Sequence, residues 1–116
     1  MRVGFVGAGR MGAPMVQRLV GAGYQVRALG RTDEKRAAVA ELGATPVTEA
    51  VEVADGADVV VLCVFTDDQV DQIAPGLIDA MPAGSVLVLH TTGSPRTAER
   101  LAVAARARGV HVVDAP

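Results

Sequence analysis

The stretch Arg2-Val3-Gly4-Phe5-Val6-Gly7-Ala8-Gly9-Arg10-Met11-Gly12 decides the fold. Arg2–Val6 is an apolar, strand-like run that stops at glycine. After it, Met11, Met15, Leu19 and Val20 fall near helical spacing until Gly21-Ala22-Gly23 ends the helix. A G-x-G-x-x-G sequence set between a strand and a helix is the phosphate-binding turn of a βαβ unit. Gly7 allows the tight turn out of the strand, Gly9 lets the backbone approach a diphosphate with no Cβ in the way, and Gly12 lets the helix lie close to the first strand. The free N–H groups at the helix start, with its dipole, then face the anion. The same glycines also suit a strand-to-helix turn that binds nothing, and the rest of the chain bears on that choice.

Outward from this unit, strand and helix alternate to the end. Tyr24–Leu29, Thr45–Val47, Ala57–Val64, Ser85–Leu89 and Val110–Asp114 read as strands; Asp33–Leu42, Thr48–Ala54, Asp67–Ala80 and Pro95–Arg108 read as helices. Ala57–Val64 is the most apolar run, and its length and β-branched content predict a strand buried on both faces. Six strands with helical crossovers predict an α/β fold: a doubly wound parallel sheet of the Rossmann type, with helices on both faces. The expected strand order is 3-2-1-4-5-6, with a ligand crevice at the carboxyl ends of strands one and four. Residues 1–116 make one dinucleotide-binding domain, with no linker or repeat. The sixth strand ends where such a domain ends and a larger enzyme would continue, so we expect the N-terminal half of a two-domain enzyme.

Composition narrows the class. Hydrophobic residues make up 50% of the 116 and aromatic ones only 3%, so the core must be built from Val, Ala, Leu and Ile. A net charge of −2, with no basic cluster beside aromatic residues, argues against nucleic acid as a partner. No apolar run reaches the roughly 18 residues needed to span a bilayer, and the N-terminus is unlike a signal peptide. The single cysteine, Cys63, gives no internal disulfide framework and suits a reducing cytoplasm; it reads as an inert core thiol. No His/Cys/Asp group has the spacing of a metal site.

The second strand speaks to which dinucleotide. NAD-binding versions carry an acidic residue about 20 positions after the glycine loop, bonded to the ribose 2′-hydroxyl. Here the strand ends in Gly30-Arg31-Thr32. A carboxylate would repel a 2′-phosphate, whereas a guanidinium fork and a hydroxyl hold one, with Lys35 and Arg36 adding charge one turn on. NADP(H) is therefore the expected cofactor rather than NAD(H). Arg31, Lys35 and Arg36 also fit a solvated helix start, and Asp33 and Glu34 dilute their charge.

Together these features resemble the β-hydroxyacid dehydrogenase family, which includes hydroxyisobutyrate dehydrogenase, tartronate semialdehyde reductase and phosphogluconate dehydrogenase. The resemblance rests on Gly7 to Met15 with Leu19, on Gly30-Arg31-Thr32, on Thr91-Thr92-Gly93-Ser94-Pro95, and on the ending Asp114-Ala115-Pro116. It implies that Gly7, Ala8, Gly9, Arg10, Met11 and Gly12 hold the pyrophosphate, and that Val64 and Phe65 line the nicotinamide side. It further implies that Thr92 meets the nicotinamide end and Thr91 the substrate carboxylate, although both threonines also suit capping of the following helix. The implied reaction is hydride transfer between the nicotinamide and a short hydroxyacid or its semialdehyde, in an enzyme that is a homo-oligomer at full length. Imine reductases share the glycine loop and the Arg-Thr strand end, and a stand-alone nucleotide-binding module is a further alternative. The chain departs from the family pattern at Val16, Arg18, Gly30 and Leu89.

The family resemblance implies a lysine as general acid/base, in a helix beyond the Asp-Ala-Pro motif. The one lysine present, Lys35, lies at the adenosine end. His90, just before the threonine pair, is the nearest candidate; it reads more readily as a strand-end residue with a satisfied hydrogen bond, and His111 as structural. Asp67 and Asp68 read as a helix start with dipole-matched charge. No catalytic residue is therefore expected within this chain, only cofactor binding.

Overall fold

The structure, a computed structural model, describes residues 1–7, 9, 12–90 and 93–115. In chain order the elements are β1 (Arg2–Val6), α1 (Gly12–Gly21), β2 (Gln25–Leu29), α2 (Asp33–Glu41), β3 (Thr45–Val47), α3 (Ala50–Ala54), β4 (Val59–Leu62), α4 (Asp67–Ala80), β5 (Val86–Leu89), α5 (Pro95–Arg106) and β6 (His111–Asp114). The strands form one six-stranded sheet in the order β3-β2-β1-β4-β5-β6, and every pairing is parallel. The predicted class, order and sequence of elements are all found. Differences lie at element ends: β4 is shorter than the apolar run Ala57–Val64 that contains it, because that run goes on into the turns on either side.

The period-2 alternation of strands sends successive side chains to opposite faces, and two separate cores result. Val6, Val60, Leu62, Leu87 and Leu89 point to the face covered by α3, α4 and α5, where they meet Val53, Val70, Leu77, Ile78 and Leu101. Val3, Phe5, Val26, Ala28 and Val61 point to the other face and meet Val16 of α1 and Val39 of α2. β4 and β1 are central and buried on both faces, which is why β4 reads as an unbroken apolar run. Two of the family departures follow from this packing. Val16 is fully buried against β1 and β2, and Leu89 is part of the opposite core, so both are hydrophobic for reasons of packing.

Local chemistry sets the helix ends. Thr32 caps α2, and Thr66 with Gln69 forms a capping box at α4. Pro75 lies inside α4 but faces solvent, and the carbonyl that its missing N–H cannot serve belongs to exposed Asp71. Among the described residues no helix is long and apolar enough to cross a membrane.

Leu77 is fully buried between α4 and the sheet. Leu77→Ala keeps the helix but opens a cavity, and we expect a loss of about 2–5 kcal/mol in urea unfolding, from a total of about 5–15. Val103→Ala, on the exposed side of α5, should stay within about 0.5 kcal/mol of the parent.

Candidate functional site

Register brings the sequence motifs to one edge. β1 pairs with β2 as Phe5↔Ala28 and with β4 as Val6↔Leu62, so Gly7 leaves the sheet level with Gly30 on one side and Cys63 on the other. β4 pairs with β5 as Leu62↔Leu89, and β5 with β6 as Leu89↔Asp114. The glycine turn, Gly30-Arg31-Thr32, Val64-Phe65, His90 and Asp114-Ala115 therefore all follow the carboxyl ends of parallel strands. Of the residues singled out from sequence, Ala8, Arg10, Met11, Thr91, Thr92 and Pro116 lie outside the described residues.

The glycine turn is built by close approach. Gly7 has φ +104°, and a Cβ there would run into the Cys63 carbonyl. A Cβ at Gly12 would strike the Gly7 carbonyl and come 2.8 Å from the Phe5 ring. Gly9 N–H donates to the Gly7 carbonyl at 2.8 Å, and Ala13 N–H donates to the Gly9 carbonyl at 2.8 Å, so the turn winds straight into α1. Gly9 differs from its two neighbours. A Cβ there would meet nothing within 4 Å, so packing among the described residues does not call for glycine. Open space beside a backbone turn at a helix N-terminus is what a diphosphate needs.

At the end of β2, Arg31 and Lys35 are exposed, and neither side chain has a hydrogen bond or ion pair with a described residue. Arg36 is committed to the protein: its guanidinium donates to the Gly30 carbonyl at 2.8 Å and to the Asp33 carboxylate. That pairing removes Arg36 from the set of free cations and masks the nearest acidic group. It also accounts for Gly30, since a Cβ there would come within 2.7–2.9 Å of Arg36 side-chain and backbone atoms. Thr32 Oγ1 accepts from Lys35 N–H at 3.1 Å, which leaves the hydroxyl proton to donate outward.

At the far end, Val64 is half-buried and Phe65 is 81% exposed, an unusual position for an apolar ring in a folded domain. His90 Nδ1 lies 2.6 Å from the Ala115 carbonyl. A carbonyl only accepts, so the hydrogen sits on Nδ1, and the strand-end reading of His90 is the one found. His111 is exposed on the edge strand β6. The N-cap of α5 is Ser94, whose Oγ accepts from Arg96 N–H at 3.2 Å, a role that Thr91 and Thr92 also suit by sequence. Asp67 does more than face a helix dipole, because its carboxylate accepts from Ser94 N–H at 3.1 and 3.3 Å. Sequence gave no signal for this contact, which joins residues 27 positions apart. Cys63 is half-buried, and burial pushes its thiol pKa up, away from reactivity. Among the described residues no group of His, Cys, Asp or Glu is placed to hold a metal ion.

A groove of about 480 Å³ lies at the opposite, amino-terminal edge of the sheet, lined by Arg2, Tyr24, Arg27, Thr45 and Asp55 among others. Arg27 lies 3.8 Å from the Asp55 carboxylate, and the Arg2 backbone N–H donates to Asp58. No motif residue reaches it.

Residues 2–116 match the family described as the NAD-binding domain of 6-phosphogluconate dehydrogenase. An uncharacterized oxidoreductase of Shewanella frigidimarina is 34% identical over 119 residues, which is 99% of this chain and 41% of that protein. The solved structure of 3-hydroxyisobutyrate dehydrogenase from Mycobacterium tuberculosis with L-serine is 30% identical, with a TM-score of 0.91 over 100% of this chain and 40% of that one. An imine reductase from Myxococcus stipitatus in complex with NADP+ is 28% identical, with a TM-score of 0.86 over 98% and 40% of the two chains. The chain thus spans about two fifths of the length of these relatives.

The contrast between glycines gives a direct test of what the turn is for. Gly9→Ala should leave urea stability within about 0.5 kcal/mol, since nothing is displaced, yet weaken dinucleotide binding at least about tenfold. Gly12→Ala should lower both. A Gly9→Ala variant that binds as the parent does would show that no ligand backbone approaches there.

Proposed function

The chain belongs to the family of NAD-binding domains described for 6-phosphogluconate dehydrogenase, and from that premise we propose that it is the NADP(H)-holding part of an oxidoreductase acting on a short hydroxyacid or its semialdehyde. The observation that carries the cofactor assignment is the end of β2. The expected acidic residue is absent, Asp33 is occupied by Arg36, and Arg31, Lys35 and the Thr32 hydroxyl remain available to an anion.

In this reading Gly7, Ala8, Gly9, Arg10, Met11 and Gly12 hold the pyrophosphate through backbone N–H groups and the α1 dipole. Arg31, Thr32 and Lys35 hold the 2′-phosphate. Val64 and Phe65 give the nicotinamide an apolar wall, and the exposure of Phe65 is accounted for by that ligand. Thr92 meets the nicotinamide end, and Thr91 donates to the substrate carboxylate. When bound, the nicotinamide supplies the hydride acceptor or donor at its C4. The chain's own residues orient that ring and exclude water from one side of it. None of them is assigned the proton transfer: Lys35 stands at the adenosine end, and His90 serves as a strand-end tie through its Nδ1–H to the Ala115 carbonyl. The acid/base, the substrate-closing surface and the homo-oligomer contacts belong to the longer enzyme, in the cytoplasm. Reduction of an imine is the second reading, favoured by the likeness to an imine reductase that holds NADP+.

Calorimetric titration with NADPH and NADH tests the cofactor. NADPH should bind more tightly, and tighter NADH would overturn the assignment. Arg31→Ala should weaken NADPH by about 1.5–3 kcal/mol, roughly ten- to a hundredfold, and leave NADH little changed. Equal losses would mean that Arg31 does not meet the phosphate.

A further inference from the structure

Asp67 begins α4, but the end of that helix is already closed by the box between Thr66 and Gln69. The Asp67 carboxylate instead crosses to the β5–α5 connection, where it accepts from Ser94 N–H. Gly93 beside it is explained by the same contact. Its φ lies outside the left-handed region, so backbone conformation does not require glycine, and the three atoms nearest to a Cβ there all belong to the Asp67 carboxylate. Ser94 is held from both sides, its N–H by Asp67 and its Oγ by the Arg96 N–H it caps.

The two segments so joined are those that carry the nicotinamide half of the proposed site. Val64 and Phe65 end two residues before Asp67, and Thr91 and Thr92 immediately precede Gly93. We propose that Asp67 is a positioning residue for that half: its carboxylate pins Gly93–Ser94 to the start of α4, two residues after Val64–Phe65. This rests on the dinucleotide reading above. A hydrogen bond from a backbone N–H to a carboxylate is stronger than a neutral one, and this one lies at the surface, away from both cores. Its loss therefore bears on loop position more than on folding.

The test separates the two halves of the ligand. The parent chain, Asp67→Ala and Asp67→Asn are titrated with NADPH and with 2′,5′-ADP, which keeps the adenosine and 2′-phosphate but has no nicotinamide. Asp67→Ala should weaken NADPH about tenfold and change 2′,5′-ADP by no more than about twofold. Asp67→Asn, whose Oδ1 still accepts from Ser94, should restore most of the NADPH affinity. Gly93→Ala should reproduce the NADPH loss while Asp67 is present and add little in the Asp67→Ala background. Equal losses for both ligands, or full NADPH affinity in Asp67→Ala, would overturn the proposal. A parent chain that binds neither ligand would overturn the cofactor reading itself, and this inference with it.

Discussion

The interaction on which the rest of the structure depends is the contact of backbone with backbone at the first βα turn. Gly7 lies against the carbonyl of Cys63 at the end of β4, and Gly12 lies against the carbonyl of Gly7 and the ring of Phe5. No side chain fits at either point. α1 is thereby pressed onto β1, and its N-terminus is aimed along the carboxyl edge of the sheet. That aim gives the turn its electrostatic character, because the positive end of a helix dipole lies at its N-terminus. Gly9 leaves space beside the turn.

Parallel register does the remaining work of assembly. With strands in the order β3-β2-β1-β4-β5-β6, the segments after β2, β4, β5 and β6 lie in line with the turn after β1. The residues proposed for the adenosine side, the pyrophosphate and the nicotinamide side are thus far apart in sequence, and their described members share one edge. Side chains then trim this layout. Arg36 draws Gly30 and Asp33 together, His90 ties the end of β5 to Ala115, and Asp67 ties the start of α4 to Ser94.

Most of the fold was legible because period and punctuation agree. Val-rich runs bounded by glycine, and helices opened by Thr, Asp or Pro, mark the elements, and β1, β3 and α4 have the boundaries expected from sequence. The glycine turn was legible for the same reason. Less legible were the contacts that depend on tertiary approach. The capping role that Thr91 and Thr92 also suit by sequence falls to Ser94, because α5 starts at Pro95 and the residue just before it supplies the oxygen. The positive charge expected from Arg36 is absorbed by Gly30 and Asp33, a pairing that appears only once α2 folds back over the strand end. The departures Val16 and Leu89 carry no functional message, since each fills a core.

Two edges of the sheet compete as ligand sites: the carboxyl edge, with its open glycine turn, and the amino edge, with its groove beside Arg2, Tyr24 and Arg27. Amide NMR of the 15N-labelled chain during titration with NADP+ distinguishes them residue by residue. The account predicts saturable shifts at Gly7, Gly9, Gly12, Arg31 to Lys35 and Gly93–Ser94, with Arg2, Tyr24 and Arg27 unmoved. Shifts confined to the amino edge, or none at the glycine turn at saturating NADP+, would contradict it.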